Sequence, residues 1–404
     1  MRIVHAADIH LDSPLAGMVR RQPELEALVR TCTRDAFSNL VDAAITNEAD
    51  ALLIAGDLYD AEQRNYETGL FFAREMQRLD RPCIVIHGNH DSASQITKSL
   101  NPPPNVTILP ARRPDTAHFP ELGLAVHGQS FGSRAEAEEL AGAYPKRVEG
   151  AFNIGLLHSS LENPGQHARY APCRVETLLA RNYDYWALGH IHTRATLHEA
   201  PWIHFPGNIQ GRHMRETGPR GATLVEVSDD HRVRSLTFLP TDVLRWAVAD
   251  IDASGQGSME ALTTLIRFEL DVAARAAEGR PVVVRVVITG QTPLHAALLA
   301  DPADIDAQCR AAAAAISPDV HVEVVKVRTA PASQSGDMVA LEQAVRSALT
   351  DPATTAGLLA DFARLRNSLP AGSEVEVPQT AEGLALLIDD AWEILRHTLG
   401  SAQR

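Results

Sequence analysis

Short apolar runs alternate with segments of helical spacing throughout residues 1–240. The apolar runs have the composition of β-strands, and residues near 24–47 and 66–79 repeat their apolar positions at helical intervals. Such alternation is typical of a layered α/β architecture. The predicted strands are Arg2–Ala7, Ala51–Ala55, Cys83–His87, Leu122–His127, Asn153–Leu157, Tyr185–Leu188, Trp202–Phe205, Ala222–Val227 and Val233–Leu239.

A second pattern begins near residue 241 and predicts a small α+β module over residues 241–330. Its elements are, in order, a strand Trp246–Ile251, a helix 258–278, a strand Pro281–Thr289, a helix 303–315 and a strand Val320–Val327. Residues 331–337 belong to a small, polar stretch interrupted by proline, which predicts a linker. The remaining segment, 338–404, is predicted to carry amphipathic helices at 338–365 and 380–398.

Residues that can bind metal ions directly follow five of the predicted strands. Loops at the carboxyl ends of strands in such sheets gather at one edge, where α/β proteins bind their ligands. We therefore expect the five segments to meet in space. They are Asp8-Ile9-His10, Gly56-Asp57, Gly88-Asn89-His90-Asp91, His158 and Gly189-His190-Ile191-His192.

The residue types in these segments favour a centre that holds two divalent cations. Aspartate and histidine together suit Mn²⁺, Fe²⁺ or Zn²⁺, and the absence of thiolates argues against a structural zinc site. Two ions about 3.5–4 Å apart need a bridging carboxylate, and Asp57 is the natural bridge because Gly56 permits a tight turn before it. A single strand-end aspartate is usually a helix cap, but five such segments in order favour the metal centre.

Composition narrows the class of protein further. The formal net charge of −14 argues against tight nucleic-acid binding by the bulk surface, so DNA affinity would need metals, local arginines or a partner. Four scattered cysteines, Cys32, Cys83, Cys173 and Cys309, are expected to be free buried thiols. We find no signal layout and no apolar run long enough to span a bilayer, which predicts a cytoplasmic protein without a membrane partner.

The ordered set D-x-H, G-D-x-x-D, G-N-H-D, a lone H and G-H-x-H resembles that of the calcineurin-like metallophosphoesterase superfamily. Within it, three stretches are similar to the SbcD and YhaO-type DNA-repair exonucleases, bacterial relatives of the eukaryotic meiotic-recombination nuclease. These stretches are His5–Asp12, Gly56–Asp60 and Phe205–Arg212. The resemblance covers roughly residues 1–240. It implies a four-layer sandwich of two β-sheets flanked by helices, followed by a small α+β cap domain and a C-terminal helical segment.

The resemblance also implies a role for individual residues. One metal would be held by Asp8, His10, Asp57 and His192, and the second by Asp57, Asn89, His158 and His190. The family usually works with Mn²⁺, and Fe²⁺, Zn²⁺ and Mg²⁺ are the alternatives. His90 matches a catalytic histidine that is not a ligand, and Asp60 matches the carboxylate that orients this histidine in related phosphatases. Asp91 would either support the ligands from behind or cap a helix, and we favour the cap.

The implied reaction is hydrolysis of DNA phosphodiester bonds in repair, as an exonuclease or endonuclease. Arg212, Arg215 and Arg220 lie in a glycine-rich segment and are candidates to bind DNA phosphates, the alternative being a solvated turn. The 241–330 module would select the form of DNA. The helices of 338–404 would dock on a coiled-coil ABC-type ATPase of the SbcC or YhaN kind, or pack on their own domain. A homodimer is a further expectation.

Two other functions remain open at this point. The same metal site serves phosphomonoesterases and cyclic-nucleotide phosphodiesterases, and some relatives are non-catalytic scaffolds. The Phe205–Arg212 stretch and the cap module favour a nuclease over the first alternative. The full ligand set together with His90 favours an enzyme over the second.

Overall fold

The computed structural model describes residues 1–13, 25–60, 66–93, 101–134, 136–161, 171–332, 335–368 and 377–401. Its strands are β1 Arg2–Ala6, β2 Ala51–Ala55, β3 Cys83–Ile86, β4 Val106–Ile108, β5 Asp115–Phe119, β6 Leu124–Gly128, β7 Phe152–His158, β8 Tyr185–Gly189, β9 Ala195–Glu199, β10 Trp202–Phe205, β11 Gly221–Val227, β12 Val233–Pro240, β13 Arg245–Asp252, β14 Val282–Thr292 and β15 Val320–Pro331. Its α-helices are α1 Glu26–Thr46, α2 Tyr66–Leu79, α3 Val175–Ala180, α4 Met259–Ala276, α5 His295–Ala300, α6 Pro302–Ile316, α7 Ser335–Leu349, α8 Pro352–Ser368 and α9 Ala381–Ser401.

Two mixed sheets of six strands each carry the predicted metal ligands. The first has the order β12-β11-β1-β2-β3-β4, in which β1 to β4 run parallel and β11 is antiparallel to both of its neighbours, β1 and β12. The second has the order β5-β6-β7-β8-β10-β9, in which only the outer strands β5 and β9 are antiparallel to their neighbours. The parallel strands of each sheet therefore end together at one edge.

The alternation of side chains along β1 shows why the sheets stack in layers. Val4 points to a core shared with Phe37 of α1 and Met76 of α2. Ile3 points the other way, into a core shared with Leu156 of the second sheet. Helix α3 and Leu188 contribute to a third core on the outer face of the second sheet. Helix, sheet, sheet and helix follow one another, which confirms the predicted four-layer sandwich.

The described chain divides into two compact units. The first comprises residues 1–249, 270–285 and 313–324, and the second comprises residues 250–269, 286–312 and 325–404. A three-stranded sheet of order β13-β14-β15 contributes residues to both. Each element predicted for 241–330 is present, together with the short additional helix α5.

The C-terminal helices begin and end differently from the prediction. The single helix predicted at 338–365 is instead two helices, α7 and α8, because a proline at position 352 cannot continue a helix. The carboxylate of Asp351 accepts a hydrogen bond from the main-chain N–H of Thr354 and so caps α8. The predicted linker at 331–337 is also shorter, since β15 ends at Pro331 and α7 begins at Ser335.

Two expectations from composition can be compared with the structure. All four cysteines are free and buried, as predicted. Burial raises the pKa of the Cys32 and Cys309 thiols to about 12, so these thiols stay protonated at neutral pH. Among the helices described, none is both long enough and apolar enough to cross a bilayer.

Candidate metal centre

The predicted ligands meet where β1, β2, β3, β7 and β8 end. One ligand atom from each of Asp8, His10 and His192 lies within 4.8 Å of the others, and the same holds for Asp8, Asp57 and His158. The Nε2 atom of His158 lies 3.1 Å from Oδ1 of Asn89. The five segments separated in sequence are therefore neighbours in space.

Asp57, the candidate bridging carboxylate, lies between histidines of the two predicted ligand sets. Its Oδ2 atom lies 3.8 Å from Nε2 of His10 and 3.5 Å from Nε2 of His158. One carboxylate oxygen therefore faces a histidine from each predicted ligand set. His190 lies beside the second set, with its ring centroid 5.1 Å from that of His158, and its main-chain N–H donates to the carboxylate of Asp8.

Four of the candidate ligands have left-handed backbone conformations. The φ angles are +52° at Asp8, +48° at His10, +54° at Asp57 and +98° at His190. Residues with a Cβ atom rarely adopt positive φ, and such strained positions cluster at functional sites. The strain arises because the chain must turn sharply just after each strand to direct its side chain into the centre.

Glycines beside the ligands leave space that no other residue could leave. A Cβ atom on Gly88 would lie 2.3 Å from Oδ1 of Asp57, and one on Gly56 would lie 2.3 Å from Nδ1 of His158. Real Cβ atoms do not approach other atoms so closely, so either substitution would displace a candidate ligand. The glycines of the G-D and G-N-H-D motifs are thus part of the geometry of the site.

Burial changes the pKa of several ionisable groups in the site. Burial raises the pKa of Asp57 to about 7, with a further contribution from the negative charge of Asp91, and burial also raises the pKa of Asp8 well above its ordinary value. Burial likewise lowers the pKa of His10, whose two ring nitrogens have no hydrogen-bond partner in the described part of the chain. Buried carboxylates and unbonded imidazole nitrogens fit a pair of divalent cations.

His90 and Asp60 form a hydrogen-bonded pair at the margin of the centre. Nδ1 of His90 lies 2.5 Å from Oδ1 of Asp60, and the main-chain N–H of His90 donates to Asp57. Although burial alone lowers the pKa of His90, the Asp60 hydrogen bond and the charge of Asp57 together raise it above its ordinary value. The His90 side chain is 28% exposed, so a substrate can reach it.

The described contacts of Asp91 fit the other role expected for it, which is support of the ligands from behind. The Asp91 carboxylate is fully buried and accepts hydrogen bonds from the main-chain N–H groups of Leu58 (3.1 Å), Tyr59 (2.7 Å) and Gly88 (3.0 Å). These donors lie before the short 3₁₀ helix that begins at Asp91, whereas a cap would bind donors that follow it. Asp91 instead ties the loop after β2 to the loop after β3.

Glu216 is a residue of the site that the sequence did not predict. Its buried carboxylate lies 2.6 Å from Nδ1 of His192 and accepts hydrogen bonds from Nδ2 of Asn208 (2.9 Å) and the main-chain N–H of Arg212 (2.7 Å). Burial opposes ionisation, but the His192 hydrogen bond is strong enough to lower the pKa of Glu216 below its ordinary value. With Nδ1 bound, Nε2 of His192 is left toward Asp8, 3.9 Å away.

The three arginines predicted to bind phosphates lie in different surroundings. Arg212 faces the centre, with Nη1 3.3 Å from Oγ of Ser13 and 3.7 Å from Oδ2 of Asp60. Arg220 donates to the main-chain oxygens of His192 and Thr217. Arg215 is exposed. Of these three, Arg212 is the one placed beside the candidate catalytic pair.

A two-sheet sandwich with this donor set at one edge is the arrangement of a metal-dependent phosphoesterase. The family model described as calcineurin-like phosphoesterase matches residues 1–194, and the model described as the middle domain of metallophosphoesterase YhaO matches residues 246–330. The chain is 34% identical over 301 residues to the uncharacterized metallophosphoesterase YhaO of Bacillus subtilis, and the match covers 72% of each chain. The chain belongs to the calcineurin-like metallophosphoesterase family, as predicted, and its members hydrolyse phosphoester bonds at a dimetal centre.

Two further relatives are nucleases or repair proteins by name. The chain is 28% identical over 249 residues to the DNA double-strand break repair protein Mre11 of Sulfurisphaera tokodaii, covering 57% of this chain and 60% of the relative. It is 23% identical over 275 residues to the SbcD component of the nuclease SbcCD of Staphylococcus saprophyticus, covering 61% of this chain and 70% of the relative. The family of the chain and the class of its reaction, phosphoester hydrolysis, are established.

Proposed function

We propose that this chain is a two-metal-ion nuclease that hydrolyses phosphodiester bonds of DNA. The observation that carries the proposal is the position of Asp57, whose single carboxylate oxygen faces His10 on one side and His158 on the other. Asp8, His10 and His192 would complete one metal site, and Asn89, His158 and His190 the other. When bound, a pair of Mn²⁺ ions would supply an activated water and neutralise charge on the phosphoryl oxygens.

The side chains at the margin of the centre would act on the substrate directly. His90 is partly exposed and hydrogen-bonded to Asp60, so a protonated His90 would donate to the phosphoryl oxygen or to the leaving alkoxide. Asp60 would hold the ring of His90 in one orientation. Arg212, whose guanidinium lies beside Asp60, would add a fixed positive charge for the scissile phosphate.

The choice of DNA as substrate rests on relatives and on the layout of the chain. The Mre11 and SbcD relatives match 57% and 61% of this chain, and their names describe break repair and nuclease activity. Residues 241–330, of which 246–330 match the middle domain of YhaO, would act as the module that selects single-stranded or double-stranded DNA. Residues 338–404 would bind a coiled-coil ABC-type ATPase, supported by the exposed side chains of Leu386 and Leu387 on α9.

The decisive experiment is a digestion of linear DNA by the purified chain with Mn²⁺. We expect degradation that His90→Ala reduces by about 10²–10³-fold, while the metal content stays at two ions per chain. His198→Ala removes a histidine of the edge strand β9 that is not among the candidate ligands, and it should leave the rate unchanged. If DNA stays intact while a cyclic nucleotide or a phosphomonoester is hydrolysed rapidly, the nuclease proposal is wrong and the chain is an esterase for that smaller substrate. Failure to bind any divalent ion would favour the scaffold.

A further inference from the structure

A cavity of about 260 Å³ lies beside His192, at the same edge of the sheets as the candidate metal centre. Its walls include Arg194, Pro206, Arg220 and Phe238. The position follows from the topology, because β10 runs parallel to β8 and ends just before Pro206, while β11 runs antiparallel to β1 and begins beside Arg220. A bridge between Ala7 and Asn208 further joins the wall of the cavity to the residue before Asp8.

Arg194 is a half-buried cation in this cavity without a counter-ion. It forms no ion pair with any described carboxylate, and its one hydrogen bond among the described residues runs from Nη1 to Oγ1 of Thr223, at 3.1 Å. Its guanidinium lies over the ring of Phe238, 5.2 Å from the centroid. Removing a charge from water is unfavourable unless an opposite charge meets it. Guanidinium N–H groups of Arg194 are therefore available to bind an anion.

Arg220 adds a second positive charge to the cavity, but more of its N–H groups are already hydrogen-bonded to the protein than those of Arg194. Its Nη1 donates to the main-chain oxygen of His192 and to Oδ1 of Asn208, and its Nη2 donates to the main-chain oxygen of Thr217. These bonds fix the loop that carries His192. The guanidinium of Arg194 is thus the group available for an incoming anion, and the field of Arg220 reinforces it.

We propose that this cavity, the Arg194 subsite, binds a second phosphate of the DNA strand that is being cleaved. This phosphate is distinct from the scissile one. The inference rests on the proposed nuclease function and names the contact that recognises a second phosphate. The volume is smaller than the roughly 300–1,000 Å³ of pockets for drug-sized ligands, so it suits one phosphate. The apolar walls at Pro206 and Phe238 suit the attached sugar. One face of Phe238 already lies against Arg194, which disfavours a stacked base there.

The test removes the charge of Arg194 while keeping its apolar stem. Binding of a labelled single-stranded oligonucleotide is measured by fluorescence anisotropy at several NaCl concentrations, in a His90→Ala background that slows cleavage. We expect Arg194→Met to weaken binding at least about tenfold and to reduce the slope of log Kd against log salt by about 1. In enzyme that retains His90, hydrolysis of bis(p-nitrophenyl) phosphate, which has no second phosphate, should change less than about twofold.

Matched variants separate a phosphate contact from a structural role. Arg194→Lys should restore most of the salt slope, because the positive charge remains. Arg2→Ala removes a half-exposed, ion-paired arginine at the opposite edge of the first sheet and should leave the slope unchanged. Arg194→Gln, which can keep the bond to Thr223, replaces Arg194→Met if that variant does not fold.

The outcomes distinguish this inference from the proposed function. If the neutral variants bind the oligonucleotide with wild-type affinity and salt slope, the Arg194 subsite is wrong even when the enzyme cuts DNA. If binding depends on Arg194 but the wild-type chain never cleaves DNA, the nuclease proposal fails and the subsite stands. If inorganic phosphate shows the Arg194 dependence and the oligonucleotide does not, the cavity binds free phosphate and the assignment to a DNA strand is overturned.

Discussion

The two edges of the sandwich, at opposite ends of its strands, differ in whether their charged side chains are exposed or buried. The edge where β8 and β10 begin has a larger cavity, of about 470 Å³, lined by residues such as Arg147, Asp184 and Trp202. There Arg147 lies 3.5 Å from Asp184, and the Arg147 side chain is 44% exposed, so its charge is both paired and hydrated. At the opposite edge the carboxylates of Asp8 and Asp57 are buried, and burial raises the pKa of both. Burial of ionisable groups, rather than cavity volume, therefore distinguishes the edge that carries the candidate metal centre.

The largest effect should come from neutralising the shared carboxylate. Asp57→Asn removes the negative charge that faces both His10 and His158, so we expect loss of both ions and a fall in bis(p-nitrophenyl) phosphate hydrolysis of about 10⁴-fold. Steady-state kinetics and elemental analysis check this. Asp184→Asn, at the opposite edge, is the matched control and should stay within about twofold. A variant Asp57→Asn that keeps two ions and its rate would contradict the shared role.

A single methyl group should have the next largest effect. Gly88→Ala places a Cβ atom where Oδ1 of Asp57 lies, so the carboxylate must move. A displacement of about 1 Å in a reacting group costs about a hundredfold in kcat. Gly257→Ala introduces the same methyl group where no atom lies within 4 Å and serves as the control. Equal rates in the two alanine variants would show that the close approach at Gly88 does not matter.

A smaller effect is expected from the carboxylate behind His192. Glu216→Gln keeps the shape of the side chain but weakens its bond to Nδ1, and loss of such partners lowers metal affinity by about 10–100-fold. Isothermal titration with Mn²⁺ measures this directly, without any assay of activity. Glu199→Gln changes the same residue type at the opposite edge. Similar Mn²⁺ affinities for both glutamine variants would exclude a positioning role for Glu216.

The smallest effect concerns the pH dependence of stability. Burial, followed by the charge of Arg194, lowers the pKa of His204 from 6.5 to about 3. His204 therefore takes up a proton mainly in the unfolded chain, and stability present above pH 6.5 is lost as pH falls towards 3. Between pH 7 and pH 5.5 this amounts to about 1 kcal/mol. Urea unfolding of metal-free protein should show the loss in the wild type and in His198→Gln, but a reduced loss in His204→Gln.

The sequence predicted the positions of the candidate ligands better than it predicted the residues that support them. Asp8, Asp57 and His158 each follow or end a strong apolar strand, so topology alone brings them to one edge. Glu216 has no such signal, since it is a lone glutamate in an irregular loop whose contact with His192 depends on the tertiary structure. The contacts of Asp91 were not predicted for the same reason, because its partners at Leu58 and Tyr59 are 33 and 32 residues away in the chain.

The fold shows the same division between local and long-range information. Helix α2 has the predicted bounds because its apolar spacing is regular over the whole segment. The edge strands β4, β5 and β9 escaped prediction, since each is short and only partly buried, with few apolar positions to form a pattern. Their pairing partners decide that they are strands, and a sequence pattern does not contain those partners.

Activity and thermal stability make opposite demands on the backbone at four candidate ligands. These residues, Asp8, His10, Asp57 and His190, have left-handed conformations. Each such residue costs about 1 kcal/mol or more, a penalty that glycine at the same position would largely relieve. In the absence of metal ions, a glycine variant at Asp8 or His10 should thus be no less stable than the wild type with respect to its backbone. Directed evolution for heat resistance alone would therefore tend to dismantle this centre, and thermostabilised descendants need to be screened for hydrolysis at every round.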